Sequence, residues 1–176
     1  MELEKLKVAI VHDWLVNYGG AERVVETILE IFPQADIYTL VYDEKKMAKS
    51  FPKEKVKTTF IQKIPKATKL YTKLLPLMPL AFEELDLTEY DLVISSSSCC
   101  AKGVITSPNT LHISYVHSPM RYIWDLYYDY KKKSNFLVKN FMTIFSKSLR
   151  TWDVISSRRI DVVIANSNYI KKRIKK

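Results

Sequence analysis

Apolar residues in this chain fall into two recurring patterns, short β-branched runs and longer stretches with apolar positions every three or four residues. Lys7 to Val11 (KVAIV) is the first short run and reads as a buried parallel strand, with His12-Asp13-Trp14 at its carboxyl end. After a loop, Ala21 to Phe32 sets Val24, Val25, Ile28, Leu29 and Phe32 on one helical face, and Pro33 stops that helix. Asp36 to Tyr42 and Lys57 to Ile61 read as the second and third strands. Pro65, Pro76 and Pro79 interrupt a helical pattern of Leu70, Leu74, Leu77 and Phe82. The pattern predicts a helix from Thr68 to Leu75, a break, and a short helical piece reaching Leu85. Tyr90 to Ser95 and Thr110 to Val116 are further strands, the second running into His117-Ser118-Pro119. A long basic helix over Phe136 to Ser156, a strand over Ile160 to Ala165 and a helix from Tyr169 complete the chain.

Strand and helix alternate throughout, which predicts an α/β fold: a Rossmann-like three-layer sandwich with a mostly parallel sheet covered on both faces. Polar residues gather just after strands, at His12 and Asp13, Ser95 to Ser98, His117 and Ser118, and Asn166 and Ser167. Ligands of open α/β sheets bind outside the carboxyl ends of the strands, so this edge is the expected functional one.

A length of 176 residues with 47% hydrophobic content suits one packed domain. Cys99 and Cys100 are adjacent and read as small buried hydrophobes in a reducing compartment. The apolar run Val8 to Val11 is too short for a signal peptide, and no stretch approaches the ~20 apolar residues of a membrane span. A cytoplasmic location, or the cytoplasmic side of a membrane, is therefore expected. Net charge is +9, unevenly spread: residues 1–130 hold 15 basic and 17 acidic residues, and residues 131–176 hold 13 and 2. The basic stretches 63–80 and 131–176 admit a solvated helix face, an anionic membrane surface or nucleic acid. Nucleic acid is the least favoured, because no binding module accompanies the charge.

Gly19-Gly20-Ala21-Glu22 lies between the first strand and its helix, where glycines let a backbone approach phosphate oxygens or simply make a tight turn. Neither a GxGxxG nor a Walker pattern is present. His12 and Asp13 are placed to form a hydrogen-bonded pair, and His117 ends another strand; structural and catalytic roles are both open to them. No metal-ligand spacing or serine nucleophile elbow occurs, and Ser95 to Ser98 reads as cap and turn material. A non-catalytic α/β binding or regulatory domain is the competing class.

Four segments together resemble the N-terminal domain of family 4 glycosyltransferases of the GT-B fold, particularly bacterial mannosyltransferase-like members. They are KVAIVHDW with GGAE (Lys7 to Glu22), YDLVISSS (Tyr90 to Ser97), HSPMRYIWD (His117 to Asp125) and DVVIANSNYIKKRI (Asp161 to Ile174). The resemblance implies two Rossmann-like domains facing across a cleft, the C-terminal one binding a nucleotide-sugar donor and the N-terminal one mainly the acceptor. It aligns Gly19 and Gly20 with a loop at the donor diphosphate, and His117 with a histidine near the reacting sugar carbon. Arg121 and Asp125 match a conserved neighbourhood, and His12, Asp13, Glu22 and Ser96 join the expected binding edge. It further implies retaining transfer of a hexose to a glycan or lipid-linked acceptor in cell-surface polysaccharide synthesis, with no metal or other cofactor. On this reading the donor-binding domain is missing from the 176 residues, which would be one inactive half of a longer enzyme.

Overall fold

The computed structural model describes residues 3–133 and 136–176. Its elements in order are β1 (Val8–His12), α1 (Gly20–Ile31), β2 (Asp36–Thr39), α2 (Glu44–Met47), β3 (Val56–Thr58), α3 (Ala67–Leu70) and α4 (Met78–Glu83). There follow β4 (Leu92–Ser97), β5 (Leu111–Val116), α5 (Tyr127–Lys133), α6 (Phe136–Ser157), β6 (Val162–Ala165) and α7 (Asn168–Lys175). The six strands form one wholly parallel sheet in the order β3-β2-β1-β4-β5-β6. The order reverses between β1 and β4, which is where open sheets of this kind leave a crevice.

Pleat alternation divides the core in two. Val8 and Ile10 of β1, Ile37 of β2 and Ile94 of β4 face Val25 and the half-buried Ile28 and Leu29 of α1. Ala9 and Val11, Tyr38 and Val93 face the opposite side, against Phe82 of α4 and Leu149 of α6. Strands apolar on both faces are what a doubly covered parallel sheet requires. Each fully buried Ile, Leu or Phe contributes about 2 kcal/mol from removal of apolar surface from water.

The structure differs from the expected elements at several points. The third strand covers only Val56–Thr58, and Phe60–Lys63 turns into a 3-10 helix whose N-cap, Thr59, accepts the Ile61 amide on its side chain. The second strand ends at Thr39; Leu40 to Tyr42 run on beside Leu15 instead, with the Leu15 amide on the Val41 carbonyl at 2.9 Å. In place of one helix over Thr68 to Leu75, the single turn of α3 passes into a 3-10 helix, Tyr71–Leu77, that holds Pro76. Pro79 sits in the first turn of α4, where a missing N–H costs nothing. Ser96 and Ser97 are not turn material: they extend the expected strand beyond Ser95 and, like Ser95, are buried residues of β4. α5 has no counterpart in the sequence reading.

Beyond β4 the chain makes a turn, Ala101–Gly103, that is locked onto α6. Buried Lys102 pairs with Asp153 at 2.7 Å and lies over the Trp152 ring. Glu83 of α4 accepts the Trp152 indole N–H at 2.8 Å and pairs with Arg159 at 2.6 Å. Gly103 is needed for this closeness, since a Cβ there would stand 2.3 Å from the Trp152 ring. These contacts fix α6 over the sheet and, with it, one wall of a cavity considered below.

Candidate functional site

The carboxyl ends of β1, β4 and β5 bring His12, Ser96 and His117 together. Parallel register sets His12 beside Ser96, and Ser96 beside Tyr115 two residues before His117. Because His12, Ser96 and His117 occupy even pleat steps from Ile10, Ile94 and Ile113, all three emerge on the α1 face. Glu22 in the first turn of α1 completes the group from above.

His12 Nδ1 lies 3.0 Å from the Ser96 carbonyl and 3.2 Å from its hydroxyl. A carbonyl only accepts, so Nδ1 carries a proton. The Ser96 hydroxyl stands 2.8 Å from His117 Nε2 and donates to it, which leaves the His117 proton on Nδ1. His12 Nε2 faces Glu22 Oε1 at 3.4 Å, a contact that is favourable only with a proton between them. Burial, then the charge of His12, holds His117 below the usual histidine range, so it is neutral at pH 7. For Glu22 burial pushes the carboxyl up, but the His12 hydrogen bond and the Glu22 and Gly19 amides outweigh it, and the net direction is down. The result is a chain of hydrogen bonds from Glu22 through His12 and Ser96 to His117, made of side chains able to hold or pass protons.

Glu22 also has a scaffold role. It is the third helical residue after the N-cap Gly19, where a carboxylate is favoured by the positive helix end. A Cβ at Gly19 would stand 3.3 Å from Glu22 Oε2, so that glycine makes room for the carboxylate. Gly20 is different. It is exposed, a Cβ on it would meet no atom within 4 Å, and its φ is not positive. Nothing among the described residues requires a glycine there, at the positive end of the twelve-residue helix α1.

Two expected site residues are spent elsewhere. Asp13 does not pair with His12; the pleat turns it to the other face, where its carboxylate accepts the amides of Ser98, Cys99, Cys100 and Ala101 at 2.6 to 2.9 Å. It anchors the turn after β4. Asp125 is ion-paired with Arg173 of α7 and ties the 120–126 segment to the last helix. Arg121 is exposed at the start of that segment.

The sequence reading passed over His112. It is fully buried in β5, with Nε2 2.9 Å from the Ser95 hydroxyl and no hydrogen-bond partner for Nδ1 among the described residues, and burial lowers its pKa to about 4. Its position inside a strand of alternating burial was the available signal. Trp14 and Tyr71 were also passed over as a pair; their rings meet at 4.9 Å, and burial and then the Glu22 charge push the Tyr71 hydroxyl up.

A wholly parallel, doubly covered sheet with a polar cluster at its switch point defines a Rossmann-like α/β domain of the kind that forms half of a GT-B fold. The chain belongs to glycosyltransferase family 4, whose family model matches residues 18–176. Neither the curated proteins nor the solved structures contain a match to it. The mannosyltransferase-like resemblance is thus a family resemblance at the level of the transferase domain.

Proposed function

We propose that the chain is the N-terminal, acceptor-side half of a two-domain hexosyltransferase. A nucleotide-sugar donor is held against the carboxyl edge of this sheet by a second, donor-binding domain. The hexose, mannose being the first to test, passes with retention to a glycan or lipid-linked acceptor of cell-surface polysaccharide synthesis. A bond forms from an acceptor hydroxyl oxygen to the anomeric carbon, the bond from that carbon to the donor diphosphate breaks, and the hydroxyl proton is released. No metal or cofactor is invoked: the positive end of α1 beside Gly20 favours the departing diphosphate. His117, neutral and with Nδ1–H turned away from Ser96, contacts the transferring sugar, with Glu22, His12 and Ser96 fixing its tautomer. The half alone is inactive, and the enzyme works at the inner face of the cell membrane, drawn there by its basic surface. No helix among the described residues is long and apolar enough to cross a membrane.

The observation that carries this reading is the hydrogen-bonded run Glu22–His12–Ser96–His117 at the switch point of a family 4 domain. The test is transfer from labelled GDP-mannose, UDP-glucose and UDP-galactose to a bacterial lipid extract, by the chain joined to the donor-binding domain of a family 4 enzyme or encoded next to it. Label entering the lipid or glycan fraction is the expected result. Absence of both transfer and donor binding in every pairing would favour the non-catalytic binding domain.

A further inference from the structure

A cavity of about 670 Å³ opens on the side of the sheet opposite the histidines, between the 3-10 helix Tyr71–Leu77, the 120–130 segment and α6. That volume is in the range of sites that enclose a whole organic ligand, ~300–1,000 Å³. Its wall is formed by Trp14, Leu75, Met78, Tyr122, Met142 and Leu149, with few polar atoms among them. A slot of this composition holds hydrocarbon and offers almost nothing to a sugar or a nucleotide base.

Two features of the surroundings decide what kind of hydrocarbon. The first is charge. Lys73 is in the lining, Lys131 lies over the ring of the lining residue Tyr127 at 5.4 Å, and Arg150 lies over the same ring at 4.7 Å. The segment 63–73 holds four lysines and no acid; Asp129 is the nearby acid in α5, and Asp125 is already paired with Arg173. Three cations thus flank the cavity on its Lys73 and Tyr127 sides, a setting that complements an anion. The second is the exposed surface beside the cavity. Tyr128 of α5 and Phe136 and Ile144 of α6 are each about 70% exposed, interleaved with Lys132, Lys139 and Lys147. Large apolar side chains set among lysines gain free energy in the headgroup layer of an anionic bilayer.

The cavity also reaches the reactive edge. Trp14 is two residues beyond His12 and stacks on Tyr71, whose hydroxyl is close enough to Glu22 to feel its charge. Trp14 lines the cavity, so the Trp14–Tyr71 pair stands between the chain slot and the carboxyl edge of the sheet.

We propose that this cavity binds the hydrocarbon chain of an anionic, phosphate-bearing lipid acceptor and presents its head group to the carboxyl edge of the sheet. The proposal rests on the transferase reading above and deepens it by naming the acceptor class. It commits to one occupant, a single lipid chain.

The probe is farnesyl phosphate, offered to the 176-residue chain in calorimetry, with farnesol, inorganic phosphate and vesicles of anionic or neutral phospholipid as the other arms. Farnesyl phosphate is expected to bind at least tenfold tighter than either farnesol or phosphate. Leu75→Trp and Met142→Trp, which fill the slot, should each weaken it about tenfold, and Lys73→Glu about threefold with reduced salt dependence. A diazirine-bearing farnesyl phosphate should label the unmutated chain within Leu75, Tyr122 or Met142, a readout independent of how the variants fold. The proposal is overturned if farnesyl phosphate binds no tighter than phosphate, if the label falls outside the cavity, or if folded filling variants bind undiminished. Binding to anionic vesicles alone would make the basic surface a membrane contact and overturn the chain site. Transfer to water-soluble glycans together with no farnesyl phosphate binding would sink this inference and leave the transferase reading standing.

Discussion

His12 and Asp13 leave the same strand on successive residues and are equally buried, at 2% exposure each, yet the pleat sends them into opposite kinds of environment. Asp13 is surrounded by main-chain donors: four consecutive amides of the turn after β4 converge on its two oxygens, with the Ser98 hydroxyl at 3.1 Å as well. His12 is held by one carbonyl and by side chains that themselves face the open edge, Ser96 and Glu22. The difference teaches how to separate scaffold from chemistry at a strand end. A buried charge whose partners are backbone groups fixes a conformation, and removing it strands those groups. A buried imidazole linked through hydroxyl and carboxylate side chains to a half-buried second imidazole leaves polar atoms turned toward the open edge, where a ligand can meet them without unfolding the chain.

Asp13→Ala should break the scaffold side most severely. Four amides would lose their charged acceptor, at a cost of about 4 kcal/mol, read as a lowered urea midpoint with unchanged slope. A loss below about 1 kcal/mol would mean that the turn after β4 is held by something else.

His112 gives the next largest effect and sharpens the contrast through pH. Its folded pKa of about 4 lies below the ordinary 6.5, so between those values the unfolded chain binds the proton and the folded one does not. Stability from this residue is complete above pH 6.5 and lost as pH falls toward 4, by about 3 kcal/mol. Urea unfolding of wild type and His112→Gln across that window should show the wild-type limb steeper by that amount. Parallel limbs would remove His112 as its origin.

The glycines supply the smallest pair. Gly103→Ala forces a methyl into the Trp152 ring and should cost about 2 kcal/mol, whereas Gly20→Ala meets open space and should change stability by less than about 0.5 kcal/mol. If Gly20→Ala also leaves transfer unaltered in the chain joined to a donor-binding domain, the proposed approach of that loop to the donor fails.

Much of this was legible along the chain where local pattern and long-range packing agree. β1, α1, β5 and α6 fall within a residue or two of their expected limits, because local apolar periodicity agrees there with the packing of the sheet and its helices. The edge that gathers His12, Ser96 and His117 was also readable, since parallel strands after helices must end on the same side. The extension of β4 past Ser95 was not. Three consecutive serines look like a turn, and only cross-strand partners make them strand residues: Ser95 meets His112, Ser96 meets His117, and Ser97 reaches Asp13 at 3.4 Å. Lys57 to Ile61 failed for the opposite reason, a local one: Thr59 caps a 3-10 turn in the middle of a β-branched run. The opposite fates of His12 and Asp13 depend on which face each pleat step takes, and on partners more than eighty residues away, an accepting carbonyl for His12 and donating amides for Asp13.

The central claim is that the histidine edge is chemistry and not scaffold, and His117→Ala tests it most directly. In the chain joined to a family 4 donor-binding domain this variant should unfold within about 1 kcal/mol of the unmutated protein, because His117 is half-buried at the end of β5 and its loss opens no core cavity. Its kcat/KM for sugar transfer should fall about a hundredfold, the loss of one preorganised transition-state contact. Unchanged kcat/KM beside unchanged stability would contradict the account.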